Sequence, residues 1–172
     1  ENELIQLIQY KPTTADVRKR PLLMVPPCIN KFYILDLQPE HSFVRSAVDQ
    51  GNTVFMLSWR NITEDSLAGL TWDDYLAEGV LKAIEVVRAI SRSGEINALG
   101  FCVGGTLLAS ALAVLRARGE ERVASVTSVT LLATMLDFTY PGDIGVFIDE
   151  ASMAAREAAI GKGGIFSGKD LA

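Results

Sequence analysis

The stretch INALGFCVGGTLLAS, residues 96–110, decides the fold, because an apolar run passes directly into a helical pattern within it. Cys102 lies at the change, with Gly100 two residues before it and Gly104 two residues after it. Glycine at both positions predicts a sharp turn, in which a side chain would clash and the helix packs tightly on the strand. Gly105 adds further room. This arrangement is typical of a nucleophile elbow, here with cysteine in place of serine.

Apolar runs and helical patterns alternate along most of the chain. Strands are predicted at Leu22–Val25, Val54–Ser58, 95–100 and 124–136, and helices at 40–50, 71–91 and Val103–Arg118. Such alternation predicts an α/β fold with a parallel sheet covered by helices on both faces. Residues 1–12 fit a strand or a short helix. After Asp137 the alternation stops, with one helix candidate at Asp149–Ala159 before a glycine-rich stretch.

Local signals mark the faces and ends of the helices. Thr71, with Asp74 three residues later, is close to a capping box. Gly51 and Gly119 occupy the position after a helix that favours glycine. One face of the first helix carries Phe43, Val44, Ala47 and Val48, and the second helix carries Leu76, Val80, Ala83, Ile84, Val87 and Ile90 at helical spacing.

Composition limits the class of protein. The chain has 172 residues, of which 49% are apolar, enough for one domain with a core. A net charge of −5 without a run of Lys or Arg excludes a nucleic-acid partner. No apolar stretch reaches the roughly 18 residues of a membrane-spanning helix, and the first twelve residues lack the features of a signal peptide. Two cysteines form no disulfide scaffold, so we expect a reducing compartment.

The position of Cys102 favours nucleophilic chemistry. In open α/β sheets, ligands bind at the carboxyl ends of the strands, where this cysteine is expected. The start of a helix favours thiolate over thiol, and the N–H of Val103 can donate to an oxyanion in the same crevice. The alternative is that Cys102 is a small buried apolar residue, as free cysteines usually are. The strand before it and the helix after it favour the nucleophile.

A second oxyanion donor is expected from the loop after the first predicted strand of the series. Pro26 and Pro27 have no N–H, so the first available amides belong to Cys28 and Ile29. Cys28 is expected close to Cys102, where a gating or packing role is favoured over a regulatory disulfide.

A cysteine nucleophile also indicates the substrate. Its thiolate exchanges with a thioester at little cost, because both sides of the exchange are thioesters. Serine would form a more stable oxygen ester and lose this reversibility. The residue therefore points to acyl transfer from a thioester rather than to amide hydrolysis.

The partners that such a nucleophile needs are not evident. In this fold the chain order is nucleophile, acid, histidine. The only histidine, His41, precedes Cys102 and is predicted to be a surface residue of a first helical turn. Asp137 follows the fourth strand, where a cap or turn aspartate is favoured over a catalytic acid. Either the chain is truncated or the protein is not an enzyme.

Three further patterns are better explained without a site. Residues 163–170 approach a phosphate-binding loop, but Asp170 stands where Ser or Thr should bind magnesium, and no strand precedes them. Trp59 and Trp72 are predicted to pack in the core or an interface rather than to line a substrate channel. Asp73 and Asp74 resemble a carboxylate pair, but they lie in the first turn of a predicted helix, where the positive end of the helix dipole favours acidic residues. No metal site is predicted.

Several long motifs together resemble the polyhydroxyalkanoate synthases. They are PLLMVPPCINKFYILDLQPEHSFVR (21–45), GNTVFMLSWRN (51–61), TWDDYL (71–76), INALGFCVGGT (96–106) and FIDE (147–150). The chain looks closest to class I, the single-subunit type that favours short-chain monomers. The resemblance covers nearly the whole chain.

The resemblance implies an α/β-hydrolase fold, with the N-terminal half of its core at residues 1–137 and the start of a cap or lid at 138–172. It implies that (R)-3-hydroxyacyl-CoA, typically 3-hydroxybutyryl-CoA, is polymerised with release of CoA while the polyester grows on the nucleophile. Cys102 falls on the family's catalytic cysteine. Val103 and the Cys28–Ile29 loop fall where its oxyanion donors are expected. No cofactor is implied.

The resemblance also sets expectations for the partners and for the rest of the site. The family's catalytic Asp and His are expected beyond this segment, so the segment alone is expected to be inactive. A homodimer of the full-length enzyme and a place at the surface of polyester granules in the cytoplasm are implied. The alternatives are a cysteine hydrolase of the same fold, either a depolymerase or a thioesterase, and an inert fragment.

Overall fold

The structure is a computed structural model that describes residues 1–29, 31–63, 67–120 and 125–161. The glycine-rich segment 163–170, which approaches a phosphate-binding loop in sequence, lies outside the described residues. Within the described residues, no helix is both long and apolar enough to span a membrane.

In the part of the chain that the structure describes, five strands form one sheet. They are β1 (Ile5–Gln9), β2 (Leu22–Val25), β3 (Val54–Trp59), β4 (Ile96–Phe101) and β5 (Val126–Leu132). Their order across the sheet is β1-β3-β2-β4-β5, and β2, β3, β4 and β5 run parallel. Each parallel connection passes through helical structure, as parallel pairing requires.

The helices follow the predicted order. They are α1 (Phe43–Asp49), α2 (Trp72–Asp74), α3 (Lys82–Ser91), α4 (Val103–Ala117) and α5 (Glu150–Ile160). A π-helical segment, Tyr75–Leu81, joins α2 to α3 without a break. Short 3₁₀ helices occupy Phe32–Leu35, Pro39–His41 and Gly142–Phe147.

The sheet is not parallel throughout. β1 pairs with β3 in the antiparallel direction, from Ile5 opposite Trp59 to Gln9 opposite Phe55. The segment 1–12, for which sequence allowed a strand or a helix, therefore supplies a strand. Antiparallel pairing does not require the crossover helix that parallel pairing requires. An edge strand such as β1 can therefore pair in this direction although the other strands are parallel.

Each face of the sheet has its own core. Neighbouring strand residues point to opposite faces, because side chains alternate along a strand. One core combines Leu23, Val25, Phe55 and Leu57 with helix residues that include Val80, Ile84, Leu107 and Leu108. The other combines Met24, Val54 and Met56 with Val44, Ala47 and Val48 of α1. The sheet is thus held between α1 on one side and the π segment, α3 and α4 on the other.

Most of the predicted helix signals occur in the structure. Asp74 and Thr71 form the capping box, each backbone amide donating to the other side chain. Gly51 and Gly119 have positive φ values of 82° and 65°. Phe43 is an exception on α1: it is exposed while the rest of its predicted face is buried, because it stands at the first turn of a seven-residue helix.

Candidate active site

Cys102 occupies the turn between β4 and α4. Its backbone has φ 53° and ψ −127°, a conformation that non-glycine residues rarely adopt and that costs about 1–3 kcal/mol. Its side chain is half-buried, and its thiol is free. The turn therefore places a partly exposed cysteine at the carboxyl edge of the sheet.

Hydrogen bonds hold this strained turn from both sides. The amide of Cys102 donates to the carbonyl of Leu132 at the end of β5, over 2.9 Å. The amides of Gly105 and Thr106 donate back to the Cys102 carbonyl, over 2.9 and 3.3 Å. The sulfur is thus carried by a backbone that is tied to a neighbouring strand and to the first turn of α4.

The three glycines around Cys102 are places where backbones meet. A Cβ on Gly100 would lie closer than 3.0 Å to Gly105, and a Cβ on Gly104 equally close to the carbonyls of Val25 and Pro26. On Gly105 it would clash with the side chain of Thr134. Since Gly104 touches the end of β2, the turn and the loop after β2 are in direct contact.

The start of α4 leaves amides available beside the sulfur. The first N–H groups of a helix have no acceptor within it. Because Gly105 and Thr106 donate to Cys102, the amides of Val103 and Gly104 are the ones without an intrahelical acceptor. The geometry thus allows Val103, the predicted donor, to serve an anion next to Cys102.

The two other predicted donors, Cys28 and Ile29, lie in the loop after β2 and differ in exposure. Cys28 is half-buried, whereas the Ile29 side chain is 58% exposed. Burial raises the pKa of the Cys28 thiol; a hydrogen bond from its own amide lowers it in part, and a charge on Cys102 raises it. Cys28 is therefore within electrostatic reach of Cys102. The contact between an amide and its own sulfur closes a five-membered ring far from linear, so the N–H keeps room for a second acceptor.

Two aromatic residues that the sequence did not assign to the site stand behind this loop. Trp59, at the carboxyl end of β3, donates its Nε1–H to the carbonyl of Pro26 over 2.8 Å. The ring of Tyr75 lies 5.3 Å from the Trp59 ring. Burial raises the pKa of Tyr75, and a charge on Cys28 raises it further. Trp59 is 8% exposed and so packs in the core as predicted, yet its polar edge faces the candidate site.

The only histidine and the aspartate after β5 lie elsewhere. His41 is exposed in the 3₁₀ helix Pro39–His41, with its Nδ1 2.9 Å from the amide nitrogen of Gln38. Asp137 follows the end of β5 by five residues and accepts the Thr139 amide over 2.9 Å, a hydrogen bond that lowers the pKa of its carboxyl. Asp137 thus forms a turn, and within the described residues neither side chain is hydrogen-bonded to Cys102. The described part of the chain also holds no cluster of three or more metal-ligating side chains.

Solved structures share this architecture. A carboxylesterase of Nitrososphaera gargenis aligns with 92% of this chain and 50% of its own chain, with a TM-score of 0.56 and 16% identity. At that identity the likeness shows the fold alone. It confirms the predicted α/β-hydrolase class, here as a mixed sheet with helices on both faces.

Sequence comparison identifies the family. The profile described as "Poly-beta-hydroxybutyrate polymerase (PhaC) N-terminus" matches residues 1–47, which include β1 and β2. The "Poly(3-hydroxyalkanoate) polymerase subunit PhaC" of Cupriavidus necator is 60% identical over 163 residues, 95% of this chain and 27% of that protein. The protein of the same description from Rhizobium meliloti is 44% identical over 172 residues, 100% of this chain and 28% of that protein. This chain, which spans little more than a quarter of the length of these curated relatives, belongs to the poly(3-hydroxyalkanoate) polymerase family.

Proposed function

We propose that the polymerase containing this segment is an acyltransferase that joins (R)-3-hydroxyacyl-CoA units, 3-hydroxybutyryl-CoA in particular, into polyester, with Cys102 as its covalent nucleophile. The position of Cys102 carries this proposal: a half-buried cysteine on a strained strand-to-helix turn, next to a helix amide that has no intrahelical acceptor. The names of the relatives support the reaction class.

The chemistry is a thioester exchange followed by ester formation. The Cys102 thiolate attacks the acyl carbonyl, a new carbon–sulfur bond forms, and the bond to CoA breaks, so that CoA leaves as a thiolate and takes up a proton. The hydroxyl of another acyl unit then attacks the Cys102 thioester, loses its proton to a base, and returns the thiolate. During each attack the amides of Val103 and Cys28 donate to the carbonyl oxygen as it becomes negative.

The base and its orienting acid are proposed to come from parts of the polymerase other than this segment. His41 is the only histidine in the 172 residues, and it lies on the surface with Gln38. No metal or organic cofactor is needed for the exchange. A location at cytoplasmic polyester granules and a homodimer remain part of the proposal, as does the assignment of 138–172 to a cap.

The test is made in a full-length chimera, in which this chain replaces the matching segment of the Cupriavidus necator relative. Incubation with 3-hydroxybutyryl-CoA is expected to release CoA and form insoluble polyester. Cys102→Ala should abolish both, and Cys102→Ser should leave weak activity, because an oxygen ester is a poorer acyl donor. A mass adduct of acyl units on the peptide containing residue 102 should appear in the parent chimera and be absent from Cys102→Ala.

Two results would contradict the proposal. Substantial polyester formation by the Cys102→Ala chimera would remove Cys102 from the reaction. Free hydroxy acid in place of polyester would identify a hydrolase of the same fold. The reaction of iodoacetamide with Cys102 in the parent chimera serves as the control that the sulfur is accessible.

A further inference from the structure

The loop between β2 and Cys28 has unusual backbone chemistry. Pro26 and Pro27 are both buried, and neither has an N–H with which to extend the sheet. The register of β2 with β4 ends at Val25 opposite Gly100, just before them. A loop of this kind needs an anchor other than strand pairing if its next amide is to hold a defined position.

Trp59 supplies such an anchor. Its indole N–H donates to the Pro26 carbonyl over 2.8 Å in a buried position. Trp59 is the last residue of β3, and β3 is the parallel neighbour of β2, so a rigid strand carries the donor. A buried hydrogen bond of this kind is costly to break, because the carbonyl then loses its partner without gaining water.

The indole ring is itself held in place from the opposite side. Gly79, in the π-helical segment, lies so close that a Cβ there would approach Cζ3 and Cη2 of Trp59 to 2.5 and 2.6 Å. The Tyr75 ring, one turn earlier, lies 5.3 Å away at 41°. The π segment and the loop thus hold the indole between them, and π segments of this kind are often found at functional sites.

The other side of the loop is fixed by Gly104, which contacts the Val25 and Pro26 carbonyls directly. Pro26 therefore lies between the indole of Trp59 and the first turn of α4. Its contact in that turn, Gly104, follows Cys102 by two residues. Any shift of Pro26 moves Cys28, two residues further on, relative to the sulfur.

We infer that Trp59 is a positioning residue of the polymerase: by holding the Pro26 carbonyl, it aims the Cys28 amide at the acyl oxygen on Cys102. This inference rests on the proposed function, because it needs an oxyanion at Cys102. It assigns to Trp59 an effect on the reaction step rather than on substrate binding, since the charge on the oxygen develops only as the carbonyl is attacked.

The experiment compares two identical substitutions in the chimera. Trp59→Phe removes the N–H and keeps an aromatic ring, whereas Trp72→Phe makes the same change at a residue that is 45% exposed. Loss of an oxyanion donor costs a factor of about 10²–10³ in kcat, so its displacement in Trp59→Phe should lower kcat at least about tenfold and leave KM for 3-hydroxybutyryl-CoA within about twofold. Trp72→Phe should retain the parent kcat.

A second measurement separates positioning from general damage to the site. Alkylation of Cys102 by iodoacetamide is a displacement at carbon without an oxyanion, so Trp59→Phe should leave its rate within about twofold of the parent. A kcat for Trp59→Phe equal to that of the parent chimera would overturn the inference. An alkylation rate that falls as far as kcat would also overturn it, because the role would then be structural.

A variant with the same ring shape covers the case in which Trp59→Phe does not fold. Benzothienylalanine at position 59 exchanges the N–H for sulfur and keeps both rings, so it should lower kcat in the same way; a parent kcat would again overturn the inference. If the Cys102→Ala chimera is inactive and the position-59 variants keep the kcat of the parent chimera, the inference on Trp59 is refuted and the proposed function is not. An active Cys102→Ala chimera would refute the proposed function first.

Discussion

At Gly104 the first turn of α4 meets the end of β2. The atoms that a Cβ would meet there are backbone carbonyls of Val25 and Pro26, which cannot rotate away as a side chain can. The same contact transmits the position of the loop to the turn that carries Cys102. A substitution at this glycine should therefore affect stability and the reaction together.

We predict that Gly104→Ala destabilises the chimera by about 1–3 kcal/mol, the usual cost of forcing a methyl group into a packed site, and sharply reduces polyester formation. Gly94→Ala is the matched control, because a Cβ there would meet no atom within 4 Å; we expect a change within about 0.5 kcal/mol. Urea unfolding measured by tryptophan fluorescence gives the comparison. Equal midpoints for the two variants would contradict the packing argument.

Residues differed in how far their roles could be predicted. Gly100, Gly104 and Gly105 could be placed from sequence, because the strand-to-helix turn imposes its requirement locally. The hydrogen bond from Trp59 to Pro26 could not, because it joins residues 33 positions apart through the order of the strands. Local sequence predicts only that Trp59 and Trp72 pack in the core or an interface; Trp59 is buried in the core, whereas Trp72 is 45% exposed.

The strands and helices also differed in how far they could be predicted from the sequence. The parallel strands could be predicted because an apolar run between two helices has few other placements. The direction of β1 could not, since a five-residue strand at the edge pairs in either direction and its sequence carries no signal for one of them. The π segment was not predicted, because its apolar residues keep helical spacing; in the structure it places Gly79 against the indole of Trp59.

The capping box begins the helical run that carries Tyr75 and Gly79 to the site. We predict that Thr71→Ala destabilises the protein by about 1 kcal/mol, because the Asp74 amide loses its acceptor. The amide and hydroxyl of Thr71 donate to the Asp74 carboxylate and hold its pKa below the ordinary 3.8. Since the folded pKa is the lower one, this contribution is present above pH 3.8 and is lost as pH falls through the lowered value.

The free energy of unfolding, measured as the pH is lowered into the acid range, reports the contribution of the Asp74 carboxylate to stability. Asp74→Asn should remove the part of the acid dependence that comes from this carboxylate. Asp73→Asn is the matched control, because Asp73 stands in the same turn but takes no part in the capping box. An acid dependence for Asp74→Asn that equals the parent curve would show that the capping box does not contribute to stability there.

At the scale of the molecule, parallel strands bring the candidate site together. β2, β3 and β4 end at the same edge, and they deliver the loop with Cys28, the indole of Trp59 and the turn with Cys102. In the proposed function, this edge holds the nucleophile, its oxyanion donors and a residue that positions one of them. Within the described residues no histidine is hydrogen-bonded to Cys102, because His41, the one histidine of the sequence, is exposed on a 3₁₀ helix and contacts Gln38.

We therefore predict that the isolated 172-residue chain, once shown by circular dichroism to be folded, reacts with iodoacetamide at Cys102 but releases no more than one equivalent of CoA from 3-hydroxybutyryl-CoA. Without a base, the hydroxyl of the next acyl unit cannot be deprotonated and the reaction cannot turn over. The chimera should release CoA under the same conditions, and His41→Ala in it should retain the parent rate. Sustained CoA release by the isolated chain that is lost in His41→Ala would place the base within this segment and contradict the division of the site.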